Sequence, residues 1–179
     1  MMAPRHEGSG QAGAQQIFHQ LPPIFAPDSR ILILGTMPSP ASRAVQCYYG
    51  HPQNRFWKIM AALFAEDPPP SLPAERRDWL IRHRIALWDV LASCRIVGAD
   101  DGTIRDPEPN ALLPLLRQTE VQTIFTTGCK AHSLYNRYCR PETQQEAIPL
   151  PSTSPANCRR YTLESLTEAY RVILPYVGR

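Results

Sequence analysis

Three kinds of segment are absent from this chain, and each absence argues against a class of protein. None of its apolar stretches is long enough to cross a bilayer, so no membrane-spanning helix is expected. The first twenty residues contain Gly, Gln, Ala and His but no apolar run, so no secretory signal is predicted. No G-x-x-x-x-G-K-[ST] segment occurs, which disfavours a nucleotide hydrolase with a phosphate-binding loop.

Closely spaced cysteines are also missing. None of the five forms a C-x-x-C pair, whereas zinc and iron–sulfur sites need ligands at short spacings. An odd, scattered set also argues against the disulfide framework of a small secreted protein. We therefore expect reduced thiols in a cytoplasmic protein that binds no metal. The cysteines are Cys47, Cys94, Cys129, Cys139 and Cys158.

Lysine is scarce, since Lys58 and Lys130 are the only two. Arginine carries the remaining positive charge. Its planar fork suits phosphate, although arginine is equally common on ordinary surfaces. The formal net charge is +3 and the pI is about 8.7. This mildly basic balance permits a nucleic-acid partner without requiring one.

Signals for strands and helices alternate along the chain. A length of 179 residues and an apolar content of 43% fit one globular domain. We expect a disordered tail over residues 1–20 and a single domain over residues 21–179. The alternation predicts an α/β fold, a three-layer α/β/α sandwich around a short, mostly parallel four-stranded sheet. The predicted strands are 31–34, 85–91, 121–126 and 147–150. The predicted helices are 54–65, 74–84, 111–118, 130–138 and a last one that Thr162 caps and Pro175 ends. Residues 94–110 are predicted to form a loop.

The most informative stretch is residues 31–57, ILILGTMPSPASRAVQCYYGHPQNRFW. Its buried strand ends in a Gly/Pro turn, and open α/β sheets bind ligands in the crevice at such carboxyl ends. Tyr48 and Tyr49 then precede a His-Pro-Gln-Asn segment, and a helix opens with Phe56 and Trp57. Aromatic and amide side chains at this edge suit a flat, hydrogen-bonding ligand such as a nucleobase.

A second polar loop, PSTSPAN at residues 151–157, follows the fourth predicted strand. The carboxyl ends of parallel strands meet at the same edge of a sheet. We therefore expect this loop and the turn after the first strand to form one shared site.

Three ordered motifs resemble the uracil-DNA glycosylase superfamily, and more narrowly its hypoxanthine-DNA (deoxyinosine) glycosylase branch. The first is GTMPS at 35–39, the second is YYGHPQNRFW at 48–57, and the third is LPSTSPAN at 150–157, followed by EAYR at 168–171. Mismatch-specific members share an H-P-x-N-R-F-W block and a closing E-A-Y-R helix in the same order. The resemblance covers roughly residues 31–174.

The chain departs from other branches of that family at positions that matter for catalysis. Met37 stands where mismatch-specific relatives have an Asn that helps to activate water, and a thioether cannot orient a nucleophile. The Asp of the archetypal uracil enzymes is missing, and Ser152 or Thr153 replaces the His that opens their last motif. The deoxyinosine branch has the same gap, and there the Asn of the H-P-x-N block is thought to carry catalysis. The resemblance therefore implies that Asn54 is catalytic.

Asn54 has a second interpretation. An amide could position the water that attacks the sugar, acting by orientation more than by proton abstraction. An Asn before an apolar-periodic segment is also an ordinary helix N-cap. The two roles can coexist if the side chain is shared.

A base-binding set is predicted around the first turn. Backbone N–H groups there could hold a base carbonyl and stabilise the leaving base. Alternatively, the segment is an ordinary strand-to-loop turn whose N–H groups bind no ligand. Tyr49 could stack on the base or could pack in the core. Thr126 and Thr127 occupy the place where relatives put a base-reading side chain, or they simply end a strand. The set comprises Gly35, Thr36, Met37, Tyr49 and Thr127.

A DNA-binding set surrounds it. The second loop could press into the groove through hydroxyls and backbone N–H groups, with Pro and Ala as a wedge. Arg159 and Arg160 could contact phosphate or be solvated surface charges. His51 could contact a phosphate or could hold its own turn. The set comprises Pro38, Ser39, His51, Ser152, Thr153, Ser154, Pro155, Ala156, Asn157 and Arg159.

These features together predict a monomeric, monofunctional DNA-deoxyinosine glycosylase that needs no cofactor and acts on DNA containing a deaminated base. A uracil or xanthine enzyme of the same fold is one alternative. A module that binds damaged DNA or nucleotides without turnover is another, since Met37 removes a familiar catalytic group.

Overall fold

The computed structural model describes residues 13–157 and 159–178. Within them, seven strands form two sheets, one of three strands and one of four. The strands are β1 (Gln15–Phe18), β2 (Ile31–Gly35), β3 (Ile85–Asp89), β4 (Leu91–Val97), β5 (Asp100–Pro109), β6 (Thr123–Thr127) and β7 (Ala147–Leu150).

Helices connect the strands of the larger sheet and close the chain. The α-helices are α1 (Pro40–Ala44), α2 (Phe56–Phe64), α3 (Pro73–Arg82), α4 (Leu113–Arg117), α5 (Cys129–Leu134), α6 (Arg140–Thr143) and α7 (Leu163–Tyr170). A π-helical turn, Tyr135–Cys139, joins α5 to α6, and 3₁₀ segments lie at Pro155–Asn157 and Arg171–Val177. In the part of the chain that the structure describes, no helix has both the length and the apolar character that crossing a bilayer requires.

The larger sheet is wholly parallel, in the order β3-β2-β6-β7. Every residue of β2 is buried, because a central parallel strand is covered on both faces. Alternate residues of each strand enter different cores: Ile31 and Ile33 pack with α2, α3 and α7, whereas Leu32 and Leu34 pack with α4, α5 and the smaller sheet. The predicted three-layer α/β/α fold around a four-stranded sheet is confirmed.

The predicted loop at 94–110 is wrong, because β4 and β5 form an antiparallel hairpin there. The turn at Gly98 has a φ of 57°, a conformation that glycine adopts readily. Pro107 and Pro109 suggested a loop, but β5 is an edge strand, where proline is tolerated. Polar residues and three register shifts along β4–β5 hide the alternation that identifies a strand.

The predicted tail over residues 1–20 also needs correction within the described residues. β1, at Gln15–Phe18, pairs antiparallel with β4, from Gln15 opposite Ile96 to Phe18 opposite Ser93. Pairing with a distant strand orders a segment whose own sequence has few apolar residues. Residues 1–12 of the predicted tail lie outside the described residues.

Candidate active site

A cleft opens where the sheet changes winding direction. β2 and β6 are neighbours, but β2 leads to α2 and α3 on one face while β6 leads to α5 on the other. Such a switch point leaves a crevice beyond the carboxyl ends of the two strands. The cleft measures about 150 Å³, and both polar loops line it. The sequence-predicted residues on its walls are Gly35, Thr36, Met37, Pro38, Ser39, Tyr49, Asn54, Thr127, Ser152, Thr153 and Ser154.

Five residues of the predicted DNA-binding set lie outside the cleft walls. The Gln53 N–H donates to His51 Nδ1 at 3.1 Å, so this histidine holds its own turn. Ala156 and Arg159 are exposed on the segment that follows the cleft. The five are His51, Pro155, Ala156, Asn157 and Arg159.

The bend after β2 leaves two backbone donors free. Val90 N–H and Leu91 N–H donate to the carbonyls of Gly35 and Thr36 at 2.8 and 3.1 Å, which fixes the bend against β3. No described residue accepts a hydrogen bond from the N–H of Thr36 or Met37, and both residues line the cleft. These N–H groups can therefore receive a carbonyl or a developing negative charge.

Hydroxyls tie the bend to the aromatic turn. The Ser39 side chain caps α1, accepting from Ser42 N–H at 3.2 Å and donating to Ser42 Oγ at 3.1 Å. Ser42 Oγ in turn accepts from the Gly50 N–H at 3.1 Å. A Cβ at Gly50 would overlap Val45 and the Cys47 carbonyl, so this close approach requires glycine.

Tyr49 is held with one face against the protein. Its ring stacks on Phe56 with the centroids 3.9 Å apart and the planes inclined by 13°. Its hydroxyl lies 3.1 Å from Thr127 Oγ1. Its φ of 52° is a left-handed value that costs about 1–3 kcal/mol in a non-glycine residue and persists where surrounding contacts enforce it. Burial, together with the nearby carboxylate of Asp89, raises the pKa of the Tyr49 phenol, so the phenol remains a neutral hydrogen-bonding group.

The neighbouring tyrosine and threonine have structural partners. The Tyr48 hydroxyl donates to the carbonyls of Leu21 and Pro22 at 3.1 and 3.0 Å, which anchors the extended lead-in. Thr126 lies on the opposite side of β6 from Thr127, and its Oγ1 is 3.0 Å from His132 Nδ1. Only Thr127 of the threonine pair lines the cleft.

Asn54 presents its amide nitrogen, because its oxygen is already occupied. Oδ1 accepts from the Phe56 N–H at 3.0 Å and from the Thr153 hydroxyl at 2.9 Å. Both donors identify the oxygen of the amide, and two donors match its two lone pairs. Nδ2 has no acceptor among the described residues, and Asn54 lines the cleft. The N-cap of α2 is Arg55 rather than Asn54. Asn54 nevertheless holds the N–H of the first helical residue and can still donate a hydrogen bond.

Arg55 holds the second loop in place. Its backbone N–H donates to the Thr153 carbonyl at 3.2 Å, and its guanidinium donates to the carbonyls of Ser154 and Tyr161. The Tyr170 hydroxyl adds a 2.8 Å bond to the Pro151 carbonyl. The H-P-x-N-R-F-W block therefore supports the closing loop through the residue that follows Asn54, a role that the sequence interpretation missed.

Two carboxylates on the cleft walls were also missed. Asp89 ends β3, and a polar residue at the carboxyl end of a buried strand is a signal that the sequence did offer. Asp101 reaches the cleft from the β4–β5 hairpin, and the loop prediction gave no reason to place it there. Burial raises the pKa of Asp101; a hydrogen bond with Thr36 lowers it, and the negative charge of Asp89 raises it further.

Among residues 13–157 and 159–178, no group of three or more His, Cys, Asp and Glu side chains is arranged to hold a metal ion. The four cysteines in these ranges are free thiols. Burial raises the pKa of the Cys139 thiol to about 12, so it stays protonated at neutral pH.

A family model described as the uracil DNA glycosylase superfamily matches residues 22–174. A hypoxanthine DNA glycosylase of Methanosarcina acetivorans is 32% identical over 139 residues, which cover 77% of this chain and 87% of that protein. Another of that description, from Methanosarcina barkeri, is 37% identical over 89 residues, or 50% of this chain. That alignment spans 56% of the M. barkeri protein, little more than half its length.

A similar solved structure extends the comparison to the fold. It is a solution NMR structure of a Methanosarcina acetivorans protein provisionally described as a uracil DNA glycosylase. The TM-score is 0.74 at 28% identity, covering 89% of this chain and 99% of that one. The resemblance noted in the three motifs is confirmed by these matches.

Proposed function

Since the chain belongs to the uracil DNA glycosylase superfamily, we propose that it excises deaminated bases from DNA, hypoxanthine first among them, by hydrolysing the N-glycosidic bond. Its curated relatives bear the name hypoxanthine DNA glycosylase. The observation that carries the proposal is the convergence of the GTMPS bend and the PSTSPAN loop on one cleft at the switch point of the sheet.

The geometry supports recognition of an extruded base. A glycosylase reaches its bond only after the nucleotide leaves the stack, which costs a few kcal/mol and least for a poorly paired base. Tyr49, which lines the cleft and is backed by Phe56, would stack on the base. The free N–H groups of Thr36 and Met37 would hold its carbonyl oxygen and stabilise the negative charge that develops as it leaves.

Asn54 would orient the attacking water. Nδ2 donates to the water oxygen and fixes its place relative to the sugar, but an amide N–H cannot remove the proton of the water. The contribution of Asn54 is therefore positional. No lysine is among the described residues that line the cleft, and the proposed reaction ends at the abasic site.

The DNA duplex is the proposed partner, bound by a single copy of the chain. Residues 155–157 follow the cleft-lining part of the loop, and exposed Ala156 and Arg159 can contact the vacated stack and the phosphates. A protein that acts on chromosomal DNA works where the chromosome lies, and we place it in the cytoplasm, with the nucleoid if the cell is prokaryotic.

Duplexes with a single inosine, uracil or xanthine test the proposal. The protein is incubated with each duplex, and hot alkali then breaks the strand at any abasic site. We expect breaks at inosine, with the relative rates on the three duplexes giving the base preference. Gel retardation of the damaged duplexes without breaks would show that the protein binds damaged DNA without turnover.

A further inference from the structure

The residues that would hold the attacking water provide no acceptor for its proton. Asn54 Oδ1 already accepts from the Phe56 N–H and from the Thr153 hydroxyl, which uses both of its lone pairs. Asn54 Nδ2 only donates, and the thioether of Met37 is a weak acceptor and not a base. Hydrolysis requires the attacking oxygen to lose a proton, and a positioned base accelerates that loss.

Five titratable side chains lie on the described walls of the cleft, and three of them cannot act as a base near neutral pH. Arg43 is a cation, and its guanidinium donates to the Pro38 carbonyl at 2.8 Å. Burial, together with the nearby carboxylate of Asp89, raises the pKa of the Tyr48 and Tyr49 phenols, so both remain protonated. Two carboxylates remain.

One of these two carboxylates already has a partner. Asp89 is 5% exposed, and its Oδ2 lies 2.8 Å from His19 Nε2. Asp101 is half-buried, and no cation among the described residues forms an ion pair with it. Asp101 is therefore the carboxylate on the cleft walls that is available to a water molecule.

The β4–β5 hairpin holds Asp101 beside the bend that would receive the base. The Thr103 hydroxyl donates to the Asp100 carbonyl at 2.7 Å, and Asp100 Oδ1 accepts from the Gly102 N–H at 2.9 Å, so the turn is fixed on both sides of Asp101. The carboxylate of Asp101 also forms a hydrogen bond with the Thr36 side chain. This contact joins the tip of the hairpin to the bend after β2.

We propose that Asp101 is the general base of the reaction, taking a proton from the water that attacks C1′ of the sugar. This role rests on the proposed function. As the water oxygen bonds to C1′, the glycosidic bond breaks and its electron pair leaves with the base, where the N–H groups of Thr36 and Met37 stabilise it. The proton passes from the water to Asp101 and then to the departed base or to solvent, which restores the carboxylate and leaves an abasic sugar.

The surroundings of Asp101 favour this task. Burial raises the pKa of its carboxyl, and the hydrogen bond with Thr36 lowers it. Among the charged neighbours, Asp89 and Asp100 raise the pKa and Lys130 lowers it, and the pKa remains above its ordinary value. A general base works best when its pKa approaches the working pH, so the raised value makes this carboxylate a stronger base than an exposed one.

Single-turnover excision tests this assignment on whichever of the inosine, uracil and xanthine duplexes wild type breaks fastest. Between about pH 4 and about pH 9, the wild-type rate should rise as the carboxyl ionises and then reach a plateau. Asp101→Asn should lower the plateau by about two to four orders of magnitude and abolish the rise. Asp100→Asn removes the same charge from the adjacent position of the hairpin, and it should keep both the wild-type rate and the rise with pH.

Folding and DNA binding are measured on the same proteins. Asp101→Asn removes a half-buried charge, so its thermal unfolding should remain cooperative, and gel retardation should match wild type. Asp101→Ala adds a chemical test, because the space that it opens admits a small carboxylate. Sodium formate should restore part of the excision rate in this variant, and sodium chloride at the same concentration should not.

Three results overturn the role of Asp101: a wild-type rate in Asp101→Asn, a rise with pH that this variant retains, or equal effects of formate and chloride on Asp101→Ala. Any of them, together with strand breaks by wild type, refutes the base and leaves the glycosylase activity standing. Absence of breaks by wild type on all three duplexes would refute the proposed function itself, and the role of Asp101 with it.

Discussion

Replacing Asn54 with Ala separates catalysis from the structural role of its side chain before α2. The substitution removes the acceptor of the Phe56 N–H and of the Thr153 hydroxyl, which is 99 residues away in sequence. Loss of a side-chain acceptor for an N–H at a helix start costs about 0.5–2 kcal/mol, and the second hydrogen bond contributes about 1 kcal/mol. We expect the free energy of unfolding to fall by about 1.5–3 kcal/mol.

This loss is too small to empty the native state. Domains of this kind unfold at a cost of about 5–15 kcal/mol, so about 2 kcal/mol remains even at the lower limit and most molecules stay folded. A positioned catalytic group typically contributes about two to four orders of magnitude in rate. A fall of that size in base release therefore cannot come from unfolding.

Asn54→Asp is the matched control. Aspartate caps helices as well as asparagine and can accept both hydrogen bonds, but it lacks the amide donor that Nδ2 provides. We expect near wild-type stability and a loss of base release similar to that of Asn54→Ala. The assays are urea unfolding, gel retardation and single-turnover excision from an inosine duplex. Wild-type excision by Asn54→Ala would leave the residue with a structural role alone, and wild-type excision by Asn54→Asp would show that the amide donor is not needed.

Three further outcomes are expected. Tyr49→Ala should lower base release more than Tyr49→Phe, since stacking contributes about 1–3 kcal/mol per base and a single neutral hydrogen bond about 1 kcal/mol; equal losses would contradict stacking. Burial holds the pKa of the Asp101 carboxyl above its ordinary value, so the folded state binds this proton more tightly than the unfolded chain does. The free energy of unfolding therefore falls as the pH rises from the ordinary carboxyl pKa through the raised one. Asp101→Asn should accordingly raise the thermal midpoint near pH 7 and leave it unchanged near about pH 3, and an equal shift at both pH values would show a different cause. Arg159→Gln should reduce the slope of log affinity for DNA against log salt by about one, while Arg117→Gln, at the end of α4, should not; equal slopes in both variants would argue against a phosphate contact at Arg159.

Local patterns predicted the parallel sheet but not the second one. Ile31–Gly35 is continuously apolar, and the apolar residues along Phe56–Phe64 have helical spacing. Each element can therefore be identified from a few neighbouring residues. The pairing of β1 with β4 and of β4 with β5 has no such signal. Gln15–Phe18 is mostly exposed, and β5 carries Asp, Arg, Glu and Pro. These strands depend on their partners for order.

The same difference separates the parts of the candidate site. The bend at 35–39, the H-P-x-N block and the PSTSPAN loop could be predicted, because each is a contiguous motif next to a recognisable strand or helix. Asp101 could not, because its approach to the cleft depends on how the hairpin folds back. The supporting role of Arg55 was hidden too, since its acceptors lie about a hundred residues further along the chain.

The sequence by itself determined which chemical groups are available and in what order they follow the strands, because side-chain chemistry and hydrophobic periodicity are local properties. Only the tertiary structure decided which of them meet. Crossover connections bring Asn54 to Thr153 and Gly35 to Asp89, and among the described residues the Asn54 amide nitrogen is left without an acceptor. Whether a polar atom is satisfied or free for a ligand depends on neighbours distant in sequence, and the chain's local pattern does not contain them.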